Sequence, residues 1–171
     1  FENGDDNWTN RGGNSVEVSD KEHYTEWGSK SLYVYDRTSE WMGAILSLSP
    51  VIYKAGESYS FSVHVKQNNE EAVDFKLSLE YTDASGETAY ADIAKVTAPK
   101  GMWAQLVNTS YKIPDGASDL KIYVETTSSL TDFYMDEAIG AVEDTGIAGE
   151  GQPEVKVVVR GDLNFDGKIN V

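Results

Sequence analysis

The sequence SLYVYDRTSEWMGAILSLS, residues Ser31–Ser49, contains two short runs of alternating side chains separated by a polar turn. Leu32 and Val34 alternate with Tyr33 and Tyr35 before the turn, and a similar alternation follows it. Side chains on a β-strand point to opposite faces with a period of two. The stretch therefore predicts two strands, joined as a pair by the turn, each with an aliphatic face toward a core.

Trp41 falls on the other face of the second run from the aliphatic positions, which are Met42, Ala44, Leu46 and Leu48. If those positions face the core, Trp41 faces water, as the two tyrosines of the first run do. A tryptophan held toward solvent by a rigid sheet is typical of a surface that receives flat, weakly polar ligands. The stretch thus predicts a binding surface as well as two strands.

The rest of the chain repeats the period-two pattern between turn-forming residues. Further predicted strands are Ser15–Ser19, Tyr59–Val65, Val73–Tyr81, Thr88–Val96, Met102–Ile113, Leu120–Thr126 and Thr131–Val142. Nine or ten short strands without a convincing helix predict an all-β fold, a β-sandwich jelly roll of antiparallel strands. A closed barrel remains the alternative. A parallel sheet is disfavoured because nothing supplies crossover helices.

The charge balance limits the class of partner. The chain has 29 acidic and 14 basic residues and a net charge of −15, which disfavours nucleic acids, anionic membranes and strongly acidic polysaccharides. Neutral ligands and cations remain. Cysteine is absent, so disulfides and thiol chemistry are excluded. No apolar run is long enough to predict a membrane-spanning helix.

The composition changes near the end of the chain and predicts three segments. Residues 1–142 form a domain, and residues 143–157, rich in Gly, Glu and Pro, form a linker. Residues 158–171 include GDLNFDGKINV, in which Asp162, Asn164, Asp166, Gly167 and Asn170 match positions one, three, five, six and nine of a calcium loop. The sequence stops before the twelfth position, so we expect weak or no calcium binding there and a disordered tail.

Four residues share the non-core faces of their predicted strands: Trp41, Tyr90, Tyr123 and Glu125. Aromatic rings and a carboxylate on one sheet face are typical of sugar binding. The C–H face of a pyranose lies on a ring, while charged groups form hydrogen bonds with hydroxyls. The alternative is that these rings lie under loops or are isolated surface residues, which are common.

The other tryptophans and the histidines give less information about function. Trp8 and Trp103 are expected to pack structurally, and His23 and His64 to be surface residues. Sequence motifs of serine hydrolases, phosphate-binding loops and zinc proteases are absent. A glycosidase needs only two suitably spaced carboxylates, so a small jelly-roll glycoside hydrolase stays open.

Several segments resemble one known family. WTNRGG, GSKSLYVYDRTSEWMGA, YVETT and FYMDEA are similar to segments of carbohydrate-binding modules of family 22, which are attached to bacterial xylanases. The likeness covers Phe1–Val142, and RT-x-x-W-x-G is its most distinctive part. The tail resembles the start of a dockerin, the calcium-dependent module that binds a scaffoldin cohesin in the cellulosome.

The resemblance implies a β-sandwich jelly roll with a cleft for an internal stretch of xylan. Trp41 and Tyr90 would stack on or flank the xylose units. Tyr123 and Glu125 would line the same cleft, with Glu125 accepting hydrogen bonds from hydroxyls, and Arg11 would donate at one end. Arg37 belongs to the same motif and would either take part in binding or brace the cleft through an ion pair.

The resemblance also implies a structural calcium ion that joins the N-terminal segment to the last strand. Its ligands would be the Glu2 and Asp136 side chains and a main-chain oxygen near Lys30. An acidic chain gains stability when a cation neutralises buried carboxylates.

We therefore expect a non-catalytic, monomeric module that binds xylan, with mixed-linkage β-glucan as a second ligand. The parent would be a secreted, extracellular, cellulosomal xylanase held on plant cell wall polysaccharide. A structural module that stabilises a neighbouring domain without binding sugar is a further alternative.

Overall fold

Alternating side chains produce ten β-strands within residues 1–146, the part of the chain that the computed structural model describes, and this part contains no helix. The strands are β1 (Thr9–Arg11), β2 (Ser15–Ser19), β3 (Ser31–Tyr35), β4 (Gly43–Ser47), β5 (Ser58–Gln67), β6 (Val73–Thr82), β7 (Thr88–Ala98), β8 (Trp103–Lys112), β9 (Ser118–Thr126) and β10 (Phe133–Val142). It also contains no helix long and apolar enough to cross a membrane.

The strands form two five-stranded sheets. The first sheet has the order β1-β4-β9-β6-β7 and the second the order β2-β3-β10-β5-β8, and neighbouring strands run antiparallel. Two separate packed sheets are a sandwich rather than a closed barrel. The predicted all-β jelly roll is confirmed.

The pairing predicted for the two strands of Ser31–Ser49 is wrong. β3 pairs with β2 and β10, whereas β4 pairs with β1 and β9 in the other sheet. The connection of residues 36–42 carries the chain from one sheet to the other, and Trp41 lies in it rather than on a strand. Alternation sets the faces of a strand but not its partner, so the sequence pattern could not show this crossing.

The core lies between the sheets and is formed by the predicted aliphatic faces together with aromatic rings. Leu32, Val34 and Ala44 are fully buried. Phe75 of the first sheet and Phe133 of the second meet edge to face, with their ring centroids 5.1 Å apart. The structural role predicted for Trp8 agrees with its exposure of 3%.

Arg37 anchors the connection between β3 and β4. Its buried guanidinium donates hydrogen bonds to the main-chain oxygens of Glu40, Met42, Ser129 and Thr131 and to the hydroxyl of Thr126. The expected ion pair is absent from the described contacts, because main-chain and hydroxyl oxygens occupy its donors. Burial lowers the pKa of Arg37 to about 10, so the side chain is still cationic at neutral pH.

His64 is buried, with 8% exposure, so its predicted surface position is wrong. The loop between β2 and β3 folds over the second sheet and stacks the ring of Tyr24 on the imidazole at 3.7 Å. Burial lowers the pKa of His64 to about 4. Period-two alternation cannot reveal a loop that covers a sheet face. His23 is exposed, as expected.

The predicted boundaries at the end of the chain remain predictions. β10 ends at Val142. Most of the predicted linker, residues 143–157, and all of the predicted dockerin start, residues 158–171, lie outside the described residues.

Candidate functional site

The outer face of the first sheet brings together side chains from four strands and one connection. In the register, Tyr123 lies opposite Ser78, and Glu80 lies opposite Tyr90. Glu125 and Tyr123 share a face of β9 because they are two residues apart. Tyr90, Tyr123 and Glu125 therefore face the same side, as predicted, with β6 running between β7 and β9.

Arg11 lies at the centre of this surface rather than at one end. The Cζ atom of its guanidinium is 3.8 Å from the ring centroid of Tyr123, 5.5 Å from that of Trp41 and 5.7 Å from that of Tyr90. These are distances at which a cation is attracted to an aromatic ring. The five predicted ligand-binding residues thus form one cluster, which we call the cleft.

Hydrogen bonds and ion pairs fix the Arg11 guanidinium. Its Nη1 donates to the main-chain oxygen of Trp41 at 2.7 Å and to Oε2 of Glu125 at 3.4 Å. Its Nε lies 3.7 Å from Oε2 of Glu80. A planar guanidinium with several fixed donors is suited to holding one orientation. Arg11 is consequently preorganised before any ligand arrives.

Arg11 belongs to a row of seven charged side chains that alternate in sign, which we call the ion chain. Its members, in spatial order, are Lys95, Asp92, Lys76, Glu125, Arg11, Glu80 and Lys121, with N–O distances of 2.7, 3.4, 3.0, 3.4, 3.7 and 2.8 Å between successive members. Although burial alone lowers the pKa of Lys76, its contacts with Glu125 and Asp92 raise it overall. The hydrogen bond from Lys95 leads the effects that lower the pKa of Asp92.

The aromatic residues of the cleft divide into two groups by exposure. Trp41 and Tyr90 are 45% and 59% exposed, whereas Tyr123 is 3% exposed because Arg11 covers its ring. Trp41 and Tyr90 are therefore free to stack on a ligand. Tyr123 lies in the cleft beneath Arg11, and the guanidinium covers the face of its ring.

Glu125 is buried and its two oxygens are already paired, Oε1 with Lys76 at 3.0 Å and Oε2 with Arg11 at 3.4 Å. A carboxylate has about four acceptor sites. Glu125 can therefore hold the two cations and still accept a hydrogen bond from a hydroxyl at the cleft.

Gly12 sets the position of Trp41 and was missed in the sequence. A Cβ atom on Gly12 would lie 2.8 Å from Cζ3 of Trp41 and 2.9 Å from Cγ of Met42, and its φ is +103°. The ring of Trp41 thus packs against bare backbone. The Gly-Gly pair of WTNRGG was a visible signal, but the residue that contacts it was not.

The predicted calcium residues lie around the loop of residues 24–30. The Glu2 carboxylate accepts hydrogen bonds from the Ser29 hydroxyl at 2.7 Å and from the main-chain N–H groups of Ser29 and Lys30 at 2.9 and 3.1 Å. The Ser29 hydroxyl leads the effects that lower the pKa of Glu2 to about 2. Lys30 Nζ donates to the main-chain oxygen of Glu2 at 3.1 Å.

Asp136 is 3% exposed, and its carboxylate accepts from the N–H groups of Tyr24 and Glu137, each at 2.8 Å. Among the described side chains no Lys, Arg or His forms an ion pair with it. Within residues 1–146 no group of three His, Asp or Glu side chains could hold a metal alone. A metal here would need main-chain oxygens.

The chain matches a family model described as a carbohydrate binding domain over residues 1–131, and it belongs to that class of protein. A solved xylan-binding domain of family 22 is 39% identical, with a TM-score of 0.82 over 86% of this chain and 94% of that one. A family 22 module of a Clostridium thermocellum xylanase is 38% identical, with a TM-score of 0.82 over 86% and 93%. The chain is a member of carbohydrate-binding module family 22.

Two curated relatives are much longer than this chain. A xylanase/beta-glucanase of Ruminococcus flavefaciens is 46% identical over 145 residues, 85% of this chain and 18% of the relative. Endo-1,4-beta-xylanase Y of Acetivibrio thermocellus is 40% identical over 172 residues, 99% of this chain and 16% of the relative. The chain thus spans less than a fifth of either. The match is to a non-catalytic binding module, so the hydrolase alternative is not supported.

Proposed function

We propose that this module binds the backbone of xylan in the cleft. The observation that carries the proposal is the pair of exposed rings, Trp41 and Tyr90, whose centroids lie 5.5 and 5.7 Å from Cζ of the fixed Arg11 guanidinium. Rings of this kind pack against the C–H faces of pyranoses. Arg11 donates to hydroxyls and Glu125 accepts from them, and hydrogen bonds to charged groups are stronger than neutral ones.

A neutral ligand is favoured by the way in which the ion chain is paired. Each of its three carboxylates lies between two cations, so most of the charge on the cleft floor is compensated inside the protein. A neutral backbone therefore need not displace an ion pair. Mixed-linkage β-glucan is a second neutral ligand, supported by the name of the Ruminococcus flavefaciens relative.

The module acts by keeping its parent on the polysaccharide. We propose that the parent is a secreted, extracellular xylanase whose catalytic domain shares the polypeptide, as the names of the relatives suggest. Binding in the cleft raises the concentration of substrate near that catalytic domain without any chemistry in the module.

Titration with xylo-oligosaccharides and matching cello-oligosaccharides tests the binding proposal. We expect binding without release of reducing sugar, and at least about a tenfold loss of affinity in Trp41→Ala, which is about 1.4 kcal/mol. Trp27→Ala is the matched control, because Trp27 is 82% exposed and lies in the loop between β2 and β3 of the second sheet. Glu125→Ala should also lose most of the affinity.

Two results would contradict the proposal. A wild-type protein that binds neither oligosaccharide series would favour the purely structural role. Equal affinities of Trp41→Ala and the parent would mean that the cleft has been assigned wrongly.

We also propose a structural calcium ion held by Glu2, Asp136 and a main-chain oxygen near Lys30. Asp136 supports this, since a buried carboxylate without a counter-ion is costly and calcium prefers oxygen ligands. Calcium would neutralise the carboxylates and tie the N-terminal segment to β10. We expect calcium to raise the thermal midpoint of the chelator-treated protein, and Asp136→Asn to remove that increase. An identical midpoint with and without calcium would contradict it.

For the end of the chain, we propose that the natural polypeptide continues into a complete dockerin that binds a scaffoldin cohesin in a cellulosome. The support is the tail sequence, where Asp162, Asn164 and Asp166 have the spacing of calcium ligands. We expect the reading frame after Val171 to complete this loop and encode a second one. A stop codon or an unrelated sequence there would contradict the proposal.

A further inference from the structure

A second depression borders the cleft on the outer face of the first sheet, where β1, β4 and β9 lie side by side. Its volume is about 420 Å³, within the range of small-molecule sites, and it is lined by Asn7, Thr9, Ile45, Leu46, Ser47 and Lys121. We call it the β4 groove. It is continuous with the cleft, because Ile45 lies directly opposite Tyr123 and Lys121 directly opposite Glu80.

The β4 groove combines one apolar surface with several polar groups. Ile45 is partly exposed on β4, which lies between β1 and β9. Asn7, Thr9 and Ser47 are exposed and carry an amide or a hydroxyl. A small apolar surface with a few polar side chains around it is the usual composition of a site for a small polar ligand. The groove therefore has groups that suit one sugar ring.

Lys121 supplies the groove with a positive charge that is only partly compensated. It ends the ion chain, its side chain is 40% exposed, and its partner Glu80, 2.8 Å away, is shared with Arg11. The ion chain holds four cations against three carboxylates. The excess charge must lie toward its ends, because every carboxylate lies between two cations.

The carboxylates that neighbour the lining residues along the chain each have a partner. Asp119 on the same strand accepts a hydrogen bond from the Thr82 hydroxyl at 3.2 Å. Asp5 accepts from the N–H of Asn7 at 3.0 Å, and Asp6 faces the ammonium of Phe1 at 3.8 Å. Among the residues that line the groove, Lys121 is the cation.

The opposite end of the ion chain lacks these features. Lys95 is 64% exposed, but the two described depressions, in the first sheet and near the N-terminal segment, do not include it. An anionic ligand is consequently better placed at the Lys121 end.

We propose that the β4 groove is a subsite for a uronic acid side group carried by the polysaccharide whose backbone occupies the cleft. Lys121 binds the carboxylate, Asn7, Thr9 and Ser47 bind hydroxyls, and Ile45 packs against the C–H face of the ring. The inference rests on the proposed function, since the backbone must occupy the cleft.

The overall charge of −15 does not oppose such a ligand. Repulsion from distant surface charges is screened within about 8 Å at physiological ionic strength. One carboxylate next to Lys121 interacts mainly with that ammonium. A densely charged polysaccharide would also approach the acidic remainder of the surface, so sparse substitution on a neutral backbone is the expected ligand.

The test compares a neutral xylo-oligosaccharide with the same oligosaccharide carrying one glucuronic acid group. For the wild-type protein we expect the acidic form to bind about two- to fivefold more tightly at low salt, the range of a partly exposed ion pair. The ratio of the affinity for the acidic form to that for the neutral form should fall toward one at high salt. The measured quantity is this ratio within each variant, so general effects of a substitution on the cleft cancel.

Two variants and a control locate the subsite. Lys121→Gln should bring the ratio to about one by removing the charge, and Ser47→Phe should do so by filling the groove. Lys95→Gln removes a charge from the other end of the ion chain and should keep the wild-type ratio.

The possible results separate the two proposals. No binding of the neutral form by the wild-type protein contradicts xylan binding itself. Normal neutral binding with a ratio of one overturns the uronic acid subsite alone. A ratio that survives Lys121→Gln or Ser47→Phe, or is lost in Lys95→Gln, places the carboxylate elsewhere and also overturns it.

Discussion

The orientation of Trp41 depends on a residue that has no side chain. Gly12 has a φ of +103°, and a Cβ there would lie within 3 Å of the Trp41 ring and of Met42. Contacts that short require movement of the ring or the backbone. The exposed ring face that we propose for stacking on a sugar is therefore held in place by packing of the opposite side against a glycine.

Gly12→Ala should displace Trp41 and weaken binding of xylo-oligosaccharides several-fold. Gly86→Ala is a matched control, since Gly86 also has a positive φ, +87°, but nothing lies within 4 Å of its Cβ position. Both variants carry the strain of alanine at positive φ, and both should lose stability. Calorimetric titration of the two proteins checks the prediction, and equal affinities would contradict it.

Buried His64 should make stability depend on pH in a defined window. Its pKa is lowered from 6.5 to about 4, so the unfolded chain binds the proton first as the pH falls. The contribution of neutral, buried His64 to the free energy of unfolding is constant above pH 6.5. It is lost as the pH falls from 6.5 to about 4, which lowers the free energy of unfolding by about 3 kcal/mol in total. Free energies of unfolding in urea at pH 7.5 and 4.5 should differ less in His64→Gln than in the wild type.

His23→Gln is the control for this prediction, because His23 is exposed and should leave the pH dependence unchanged. If His64→Gln shows the same loss of stability as the wild-type protein over this window, the imidazole is not the group responsible.

At the scale of single residues, the sequence predicted which side chains are exposed better than where they lie. The period-two alternation of side chains placed Trp41 and Tyr90 away from the core, and both are exposed. It could not show that Arg11 occupies the centre or that it buries Tyr123, because those contacts depend on the order of strands in the sheet. Lys76 and Glu80 were visible on the polar face of β6, but their partners were not.

Among the structural elements, the connection between β3 and β4 has the greatest influence on the cleft. It crosses from one sheet to the other, presents Trp41 on the outer face of the first sheet, and is held by the five hydrogen bonds of Arg37. The two strands were predictable from alternation. Their separation into different sheets was not, since a short polar connection fits a hairpin and a crossing equally well.

Arg37→Lys should destabilise the protein by at least about 2 kcal/mol. An ammonium has three donors, so at least two of the five acceptors lose their partner, and each unsatisfied buried group costs about 1–3 kcal/mol. Urea unfolding measures the loss. Arg11→Lys serves as a comparison, because Arg11 lies in the cleft and its change should affect affinity more than stability. Equal urea midpoints for Arg37→Lys and the wild type would contradict the prediction.

For the whole molecule, the fold class was the most secure prediction, because period-two alternation recurs in almost every segment between turns. β2 was predicted with its observed bounds, Ser15–Ser19, and the longer strands to within three residues at each end. The residues for which we propose calcium binding illustrate the limit of prediction from the sequence. Glu2 and Asp136 were named from a family resemblance, and the loop that contacts both has no periodic pattern.

The ion chain also has a consequence for how many copies share one polysaccharide molecule. It contains four cations and three carboxylates, so the other 10 basic and 26 acidic residues of the chain carry a net charge of −16. Copies bound side by side on a long polymer present these acidic surfaces to each other. Occupancy of the polymer should therefore be anticooperative at low ionic strength, and the spacing between neighbours should shrink as salt is added.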